Sequence, residues 1–172
     1  MINRAIPTNE EKMMREDDFI VSKTDIKGRI IYGNRIFIEF SGYTEAELLG
    51  AQHNIIRHPD MPRGIFKLLW NTIQAGKECF AYVKNMTKDG AFYWVFAYVT
   101  PSFDVSGNII GYLSIRRKPN SHAVKAISDI YRSMLMEEHR AGALNACNAS
   151  LNLLNQRLAD KNMTYEEFIF TL

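Results

Sequence analysis

Residues 79–118 read CFAYVKNMTKDGAFYWVFAYVTPSFDVSGNIIGYLSIRRK. Three runs rich in β-branched and aromatic residues, Cys79 to Thr87, Ala91 to Ser102 and Asn108 to Lys118, are parted by Asp89-Gly90 and Ser106-Gly107. Glycine preceded by a small polar residue supplies the positive φ that a tight hairpin turn requires, so the segment predicts a meander of three antiparallel strands. Lys88 beside the first turn suits a solvated tip.

Upstream, Asp18 to Asp25 and Arg29 to Tyr32 read as two more strands joined at Lys27-Gly28, a hairpin. Between this hairpin and the meander the pattern turns helical. Asn34 is placed to cap a helix over roughly Arg35 to Phe40 that stops at Ser41-Gly42. Thr44 and Glu47 form the capping box of another short helix, closed by Gly50. From Pro62 to Gln74, apolar residues at 65, 66, 69, 70 and 73 give a helix with one buried face, which Gly76 ends. The order predicts an α+β fold: a five-stranded antiparallel sheet with short helices over one face and a cavity between the layers.

Within the helical stretch, His53-Asn-Ile-Ile-Arg-His-Pro-Asp-Met-Pro62 concentrates two histidines, an arginine, an aspartate and two prolines. The prolines fix two φ angles and favour extended geometry in the residues before them. A rigid loop held on a scaffold is where ligands are usually met. On the residues alone, Arg57, His58 and Asp60 read either as ligand contacts or as a local ion pair that stiffens the loop.

Residues 1–17 read as a flexible or helical lead-in, and residues 119–172 as a helical extension for docking or dimerisation. In the extension, Val124, Ile127, Tyr131 and Met134 or Leu135 mark one helix face. A second helix begins near Ala141, with Leu144, Cys147, Leu151, Leu154 and Leu158 at coiled-coil-like spacing. Two heptads are few, so a hairpin packed on its own domain is the competing expectation. Thr164 and Glu167 predict a capping box for a third helix reaching Leu172.

Composition narrows the function. Hydrophobic residues make up 47% of 172, enough for a real core, and the net charge is +2. That balance argues against a nucleic-acid binder. The longest apolar run, Ala91 to Val99, is too short to cross a bilayer, which needs ~20 residues. No signal-peptide pattern opens the chain, and Cys79 and Cys147 form no disulfide framework, so a reduced, cytoplasmic protein is expected. No nucleophile–base pair, glycine-rich phosphate loop or metal-ligand cluster stands out, so an enzyme is not expected. The His53/His58/Asp60 spacing does not suit tetrahedral zinc.

Several motifs together resemble a PAS domain: Gly42-Tyr-Thr-x-x-Glu-Leu48, the His53 to Pro62 segment, Val83-Lys-Asn85, Lys88-x-Gly90, Tyr93-Trp-Val95, Pro101 and Gly111-Tyr-x-Ser-Ile-Arg116. The match covers residues 18–118. It is similar, more narrowly, to the PAS sensor of bacterial aerotaxis and energy-taxis receptors (the Aer type). The resemblance implies non-covalently bound FAD used as a redox sensor. It further implies signalling to a separate membrane-bound methyl-accepting-type transducer with a HAMP module, as in split energy-taxis systems, and hence possible recruitment to the inner membrane. A homodimer through the C-terminal helices is the other expected partnership.

Under this resemblance Asn85 would meet the flavin's pyrimidine edge, since an amide offers both donor and acceptor; otherwise it is an asparagine ending a strand. Arg116 would reach the ring carbonyls, or be solvated on the other face. Arg57 is the natural phosphate partner, with His53 and His58 stacking on or bonding to adenine or ribose, and Asp60 orienting Arg57 or His58. Asn34 is a helix cap, a cofactor-side residue, or both. Trp70 walls the cavity or fills the core. One departure stands out: the family often carries Pro-Trp after the Gly76 turn, where this chain has Glu78-Cys79 and then Phe80. Two other occupancies remain open. One is a haem b gas sensor, ligated through His53 or His58. The other is a cofactor-free interaction module. A cysteinyl photoadduct is not expected, because the segment Asn54 to Arg57 has no cysteine.

Overall fold

The computed structural model describes residues 5–172. Five strands form one antiparallel sheet: β1 (Ile20–Thr24), β2 (Ile30–Gly33), β3 (Cys79–Met86), β4 (Phe92–Phe103) and β5 (Ile109–Arg117). Their spatial order is β2-β1-β5-β4-β3, so the meander adds to the N-terminal hairpin through the β1–β5 pair. In that pair Ser22 faces Ser114 and Ile20 faces Arg116. With side chains alternating along each strand, Ser22, Thr24, Val83, Asn85, Ala97, Val99, Tyr112, Ser114 and Arg116 share the inner face.

Over that face lie α1 (Arg35–Ser41), α2 (Glu45–Leu48), a 3-10 turn at His53–Ile56 and α3 (Arg63–Gln74). The capping signals act as the sequence predicts. The Asn34 side chain accepts from Phe37 N, and Thr44 and Glu47 form a reciprocal capping box. Helix α3 buries Ile65 and Ile73 in the core while Phe66, Leu69 and Trp70 line a cavity. Gly28, at φ 76° in the β1–β2 turn, packs so close to Trp70 that a Cβ there would stand 3.1 Å from the indole.

Residues 5–17 depart from the expected flexible or helical lead-in. Residues 8–12 lie along the start of β4, with Thr8 N donating to Gly90 O (2.8 Å), Phe92 N to Glu10 O (2.9 Å) and Lys12 N to Phe92 O (2.7 Å), and a turn at residues 16–17 follows. The reason lies in the sheet. Strand β5 pairs with β4 only from Phe96 onward, so the start of β4 has a free edge that the N-terminal segment fills. Met14 is buried as a result.

The C-terminal helices α4 (Ser121–Ala141), α5 (Ala146–Asp160) and α6 (Tyr165–Thr171) pack on their own chain. Tyr131 of α4 is fully buried, donates its hydroxyl to Tyr82 O on edge strand β3 (2.8 Å) and stacks on Trp94. Phe170 of α6 meets Phe80 and Phe96 on the outer sheet face. Burying side chains such as Ile127, Tyr131 and Met134 contributes about 1.5–3 kcal/mol each. The expected seam of α5 is corrected. Leu144 is exposed and precedes the helix, and the buried residues are Ala146, Ser150, Leu154 and Leu158. The predicted Thr164–Glu167 capping box opens α6. Among the described residues no helix is long and apolar enough to cross a membrane.

Candidate functional site

The inner face of the sheet and α3 enclose a cavity of about 390 Å³, within the range of small-molecule sites. Its walls are largely apolar: Ile56, Phe66, Leu69, Trp70, Ile73, Val83, Ala97, Val99 and Tyr112. Trp70 and Tyr112 meet edge to face, with ring centroids 5.3 Å apart. A few polar groups interrupt this lining, and they are the informative ones.

Arg116 is 2% exposed. Its Nη2 donates to Ser22 Oγ, and its guanidinium lies over the Phe37 ring at 4.7 Å. Its Nε and Nη1 have no hydrogen-bond partner. Burial lowers its pKa to about 10, so it stays charged at neutral pH. Ser22 Oγ also lies 2.9 Å from His53 Nε2. Because Arg116 donates to Ser22, the serine hydroxyl is free to donate onward to His53 Nε2, which assigns the ring proton to Nδ1. Burial, with the nearby Arg116 charge, lowers the His53 pKa to about 3, so the ring is neutral. It stacks on Phe37. Arg116, Ser22 and His53 thus form a relay from the sheet to the start of the 53–62 segment.

Asn85, also buried, lines the cavity beside this relay. Burial drives the Tyr93 pKa up to about 12, against the opposing pull of Arg116 and then of the Asn85 amide. The Asn85 Nδ2 has no hydrogen-bond partner. The backbone of Asn85 bridges to Arg57, which ties the loop to edge strand β3. Arg57 lines the cavity, stacks its guanidinium on Phe66 at 4.1 Å and donates to Met61 O.

The cavity therefore brings together five of the residues singled out from the sequence: His53, Arg57, Trp70, Asn85 and Arg116. Three lie outside its lining. Asn34 spends its side chain on backbone, accepting from Phe37 N and Val21 N and donating to Phe19 O. His58 is buried on the far side of the loop. Its Nδ1 accepts from Asp60 N, and its ring meets the edge of Phe92. Burial, then Lys84, holds its pKa down at about 4 against the pull of Asp60. Asp60 is exposed and bonded to Lys84 (2.7 Å). His58 and Asp60 thus follow the loop-stiffening alternative rather than lining the cavity.

Sequence reasoning missed Ser22, Arg63, Phe66, Lys67, Tyr112 and Cys147, all of which line the cavity. Ser22 was recoverable from strand parity, since it sits between inward-facing Ile20 and Thr24. Cys147 carried no signal, because it arrives from α5. The departure at Cys79 falls outside the lining: the thiol packs with Ile73, Val99 and Tyr112, and burial raises its pKa to about 12. Among the described residues no group of three His, Cys, Asp or Glu is placed to hold a metal.

Comparison with known proteins gives the same picture. A family model described as the PAS fold matches residues 30–116. The aerotaxis receptor of Escherichia coli is 36% identical over 134 residues, which cover 78% of this chain and 26% of the receptor. The nitrogen fixation regulatory protein of Klebsiella oxytoca is 25% identical over 91% of this chain and 31% of its own length. This chain thus spans about a quarter to a third of these curated relatives. A solved light-oxygen-voltage domain studied with a flavin analogue superposes with a TM-score of 0.57 at 22% identity, covering 67% of this chain and 86% of that one. The Aureochrome1 light-oxygen-voltage domain in its dark state gives 0.55 at 25% identity, covering 65% and 82%. A sheet of order β2-β1-β5-β4-β3 with helices over its inner face, matched over half its length by the family model, makes this chain a member of the PAS family.

Proposed function

We propose that this chain is an FAD-binding PAS sensor of redox or energy state, of the aerotaxis type, whose output is read by a separate membrane-bound, methyl-accepting-type transducer. The observation that carries the reading is the pair Asn85 and Arg116: buried side chains that keep nitrogens without hydrogen-bond partners, in a largely apolar cavity. Leaving such groups unpaired is costly, and a ligand with acceptors along one edge removes the cost. The donor set fits a flavin. Asn85 offers an amide to the pyrimidine edge, Arg116 offers two N–H-bearing nitrogens to ring carbonyls, and Trp70 and Phe66 wall the slot. Arg57, Arg63 and Lys67 supply cations for the diphosphate. Bound FAD would supply a ring whose charge and proton content change with its oxidation state.

The chain's own residues determine how such a change is read. Only a difference in contact energy between two ligand states can move the protein. A changed pull on Arg116 is passed to Ser22 on β1 and from there to His53, at the head of the loop that carries Arg57. His53 is held neutral, so this relay acts through hydrogen-bond geometry rather than by gaining charge. The likeness to the aerotaxis receptor supports a sensor of the aerotaxis type. Two observations favour flavin over haem: His53 Nε2 is already engaged by Ser22, and His58 lies outside the cavity. The role is sensing rather than catalysis.

An absorption spectrum of the purified protein, with chromatography of the released cofactor, tests the reading. Flavin bands and recovered FAD are expected, and Asn85→Ala should lower FAD retention about tenfold through loss of the edge contact. A haem Soret band, or no uptake of FAD on reconstitution, would overturn it.

A further inference from the structure

We propose that the α4–α5 hairpin is part of the ligand site: a removable wall whose docking on α3 and whose hold on the ligand form one linked equilibrium. The proposal rests on the FAD reading above. Cys147 of α5 lines the cavity, and the next residue, Asn148, accepts from Lys67 of α3 (2.6 Å), which is itself a lining residue. The wall opposite the sheet therefore comes in part from the C-terminal extension.

The joint that seats this wall is small and polar. Glu138 of α4 and Ser150 of α5 are both buried. Glu138 Oε1 accepts from Ser150 Oγ (2.6 Å) and from Gly64 N (3.2 Å), in the first turn of α3. Gly64 N also reaches Ser150 Oγ at 3.2 Å. A carboxylate at a helix N-terminus is favoured by the helix dipole. The helices are in backbone contact here, since a Cβ on Gly64 would stand 2.4 Å from Ser150 Oγ and 2.8 Å from Leu151 N. Thus α3 carries the cavity lining on one side and the hairpin joint at its first turn.

The linkage follows from this geometry. A ligand touches the Cys147 wall only when the hairpin is docked, so it binds the docked state more tightly, and by reciprocity its binding strengthens docking. Undocking would uncover the Tyr82 carbonyl and the aromatic ring of Trp94, which Tyr131 now covers. Ligand state and the surface offered to a partner then change together.

Hydrogen exchange of the full chain with and without FAD reads the coupling directly. FAD should slow exchange in residues 121–160 about tenfold. Glu138→Ala should speed FAD dissociation about tenfold through the loosened joint. Cys147→Trp should weaken FAD binding at least about tenfold by filling the wall side of the cavity. FAD binding with unchanged exchange in 121–160, or parental dissociation from Glu138→Ala together with parental affinity in Cys147→Trp, would overturn the wall. If Glu138→Ala does not fold, the exchange of the parent chain and Cys147→Trp still decide. A parent chain that takes up no FAD would instead overturn the functional reading, and this proposal with it.

Discussion

The cavity and the α3–α4–α5 joint bury similar chemistry in opposite ways. At the joint, Glu138, Ser150 and the Gly64 amide satisfy one another within a few ångströms. In the cavity, Arg116 and Asn85 are equally buried but keep nitrogens without partners. A closed polar cluster specifies how two pieces of chain sit together, whereas an open one is complete only with something from outside. Buried polarity alone therefore does not mark a site; unpaired donors that face an apolar cavity do.

Three experiments press on that contrast. Gly64→Val forces a side chain into the Ser150 and Leu151 backbone contact and should cost about 3 kcal/mol in urea denaturation, with loss of the docked hairpin. A loss below about 1 kcal/mol would mean that the joint yields easily. Arg116→Met should act in the opposite direction on the ligand-free protein. Replacing an unpaired buried cation with an apolar side chain is expected to raise its stability by about 1–2 kcal/mol while FAD retention falls. If the apoprotein is destabilised, the guanidinium belongs to the scaffold rather than to a ligand.

The smallest effect is on pH. His53 and His58 are held neutral with folded pKa values of about 3 and 4, below the ordinary histidine value of 6.5. As pH falls through 6.5 the unfolded chain takes up protons that the folded one refuses. Stability is therefore full above about pH 7 and is lost progressively below 6.5, by at most about 1.4 kcal/mol per pH unit for each ring. Glu47, drawn down to about 2 by Lys88 and the Thr44 capping box, contributes stability that is lost only below about pH 4.5. Denaturation midpoints between pH 5 and 6.5 thus report the histidines, and a flat profile there would show that the rings protonate inside the fold.

The sheet was legible because its signals are local: Asp89-Gly90 and Ser106-Gly107 close the two meander turns. Capping boxes at Thr44 and Thr164 were equally local and both form. What escaped depends on distant geometry. Residues 8–12 join the sheet because β5 stops short of the start of β4. The seam of α5 passes through Ser150 rather than Leu151, because Gly64 admits only a small neighbour at that crossing. For the site, helical periodicity aimed Trp70 inward and the family resemblance singled out Asn85 and Arg116, with the facing of Arg116 left open, but neither could reveal that α5 would add Cys147. Nor could either show that His58 would turn away from the cavity.

Strand β3 ends the sheet, and its outer edge is occupied by other parts of the chain: Lys84 N points at Met61 Sδ, Arg57 bridges Asn85, and Tyr131 closes on the Tyr82 carbonyl. An open edge beside Phe80, Tyr82 and Trp94 would be a sticky template for a second copy. Anyone cutting a minimal sensor from this sequence at the end of β5 would strip off the Tyr131 cover and should expect a poorly behaved, self-associating fragment. For grafting onto another output module, the portable unit runs through α6.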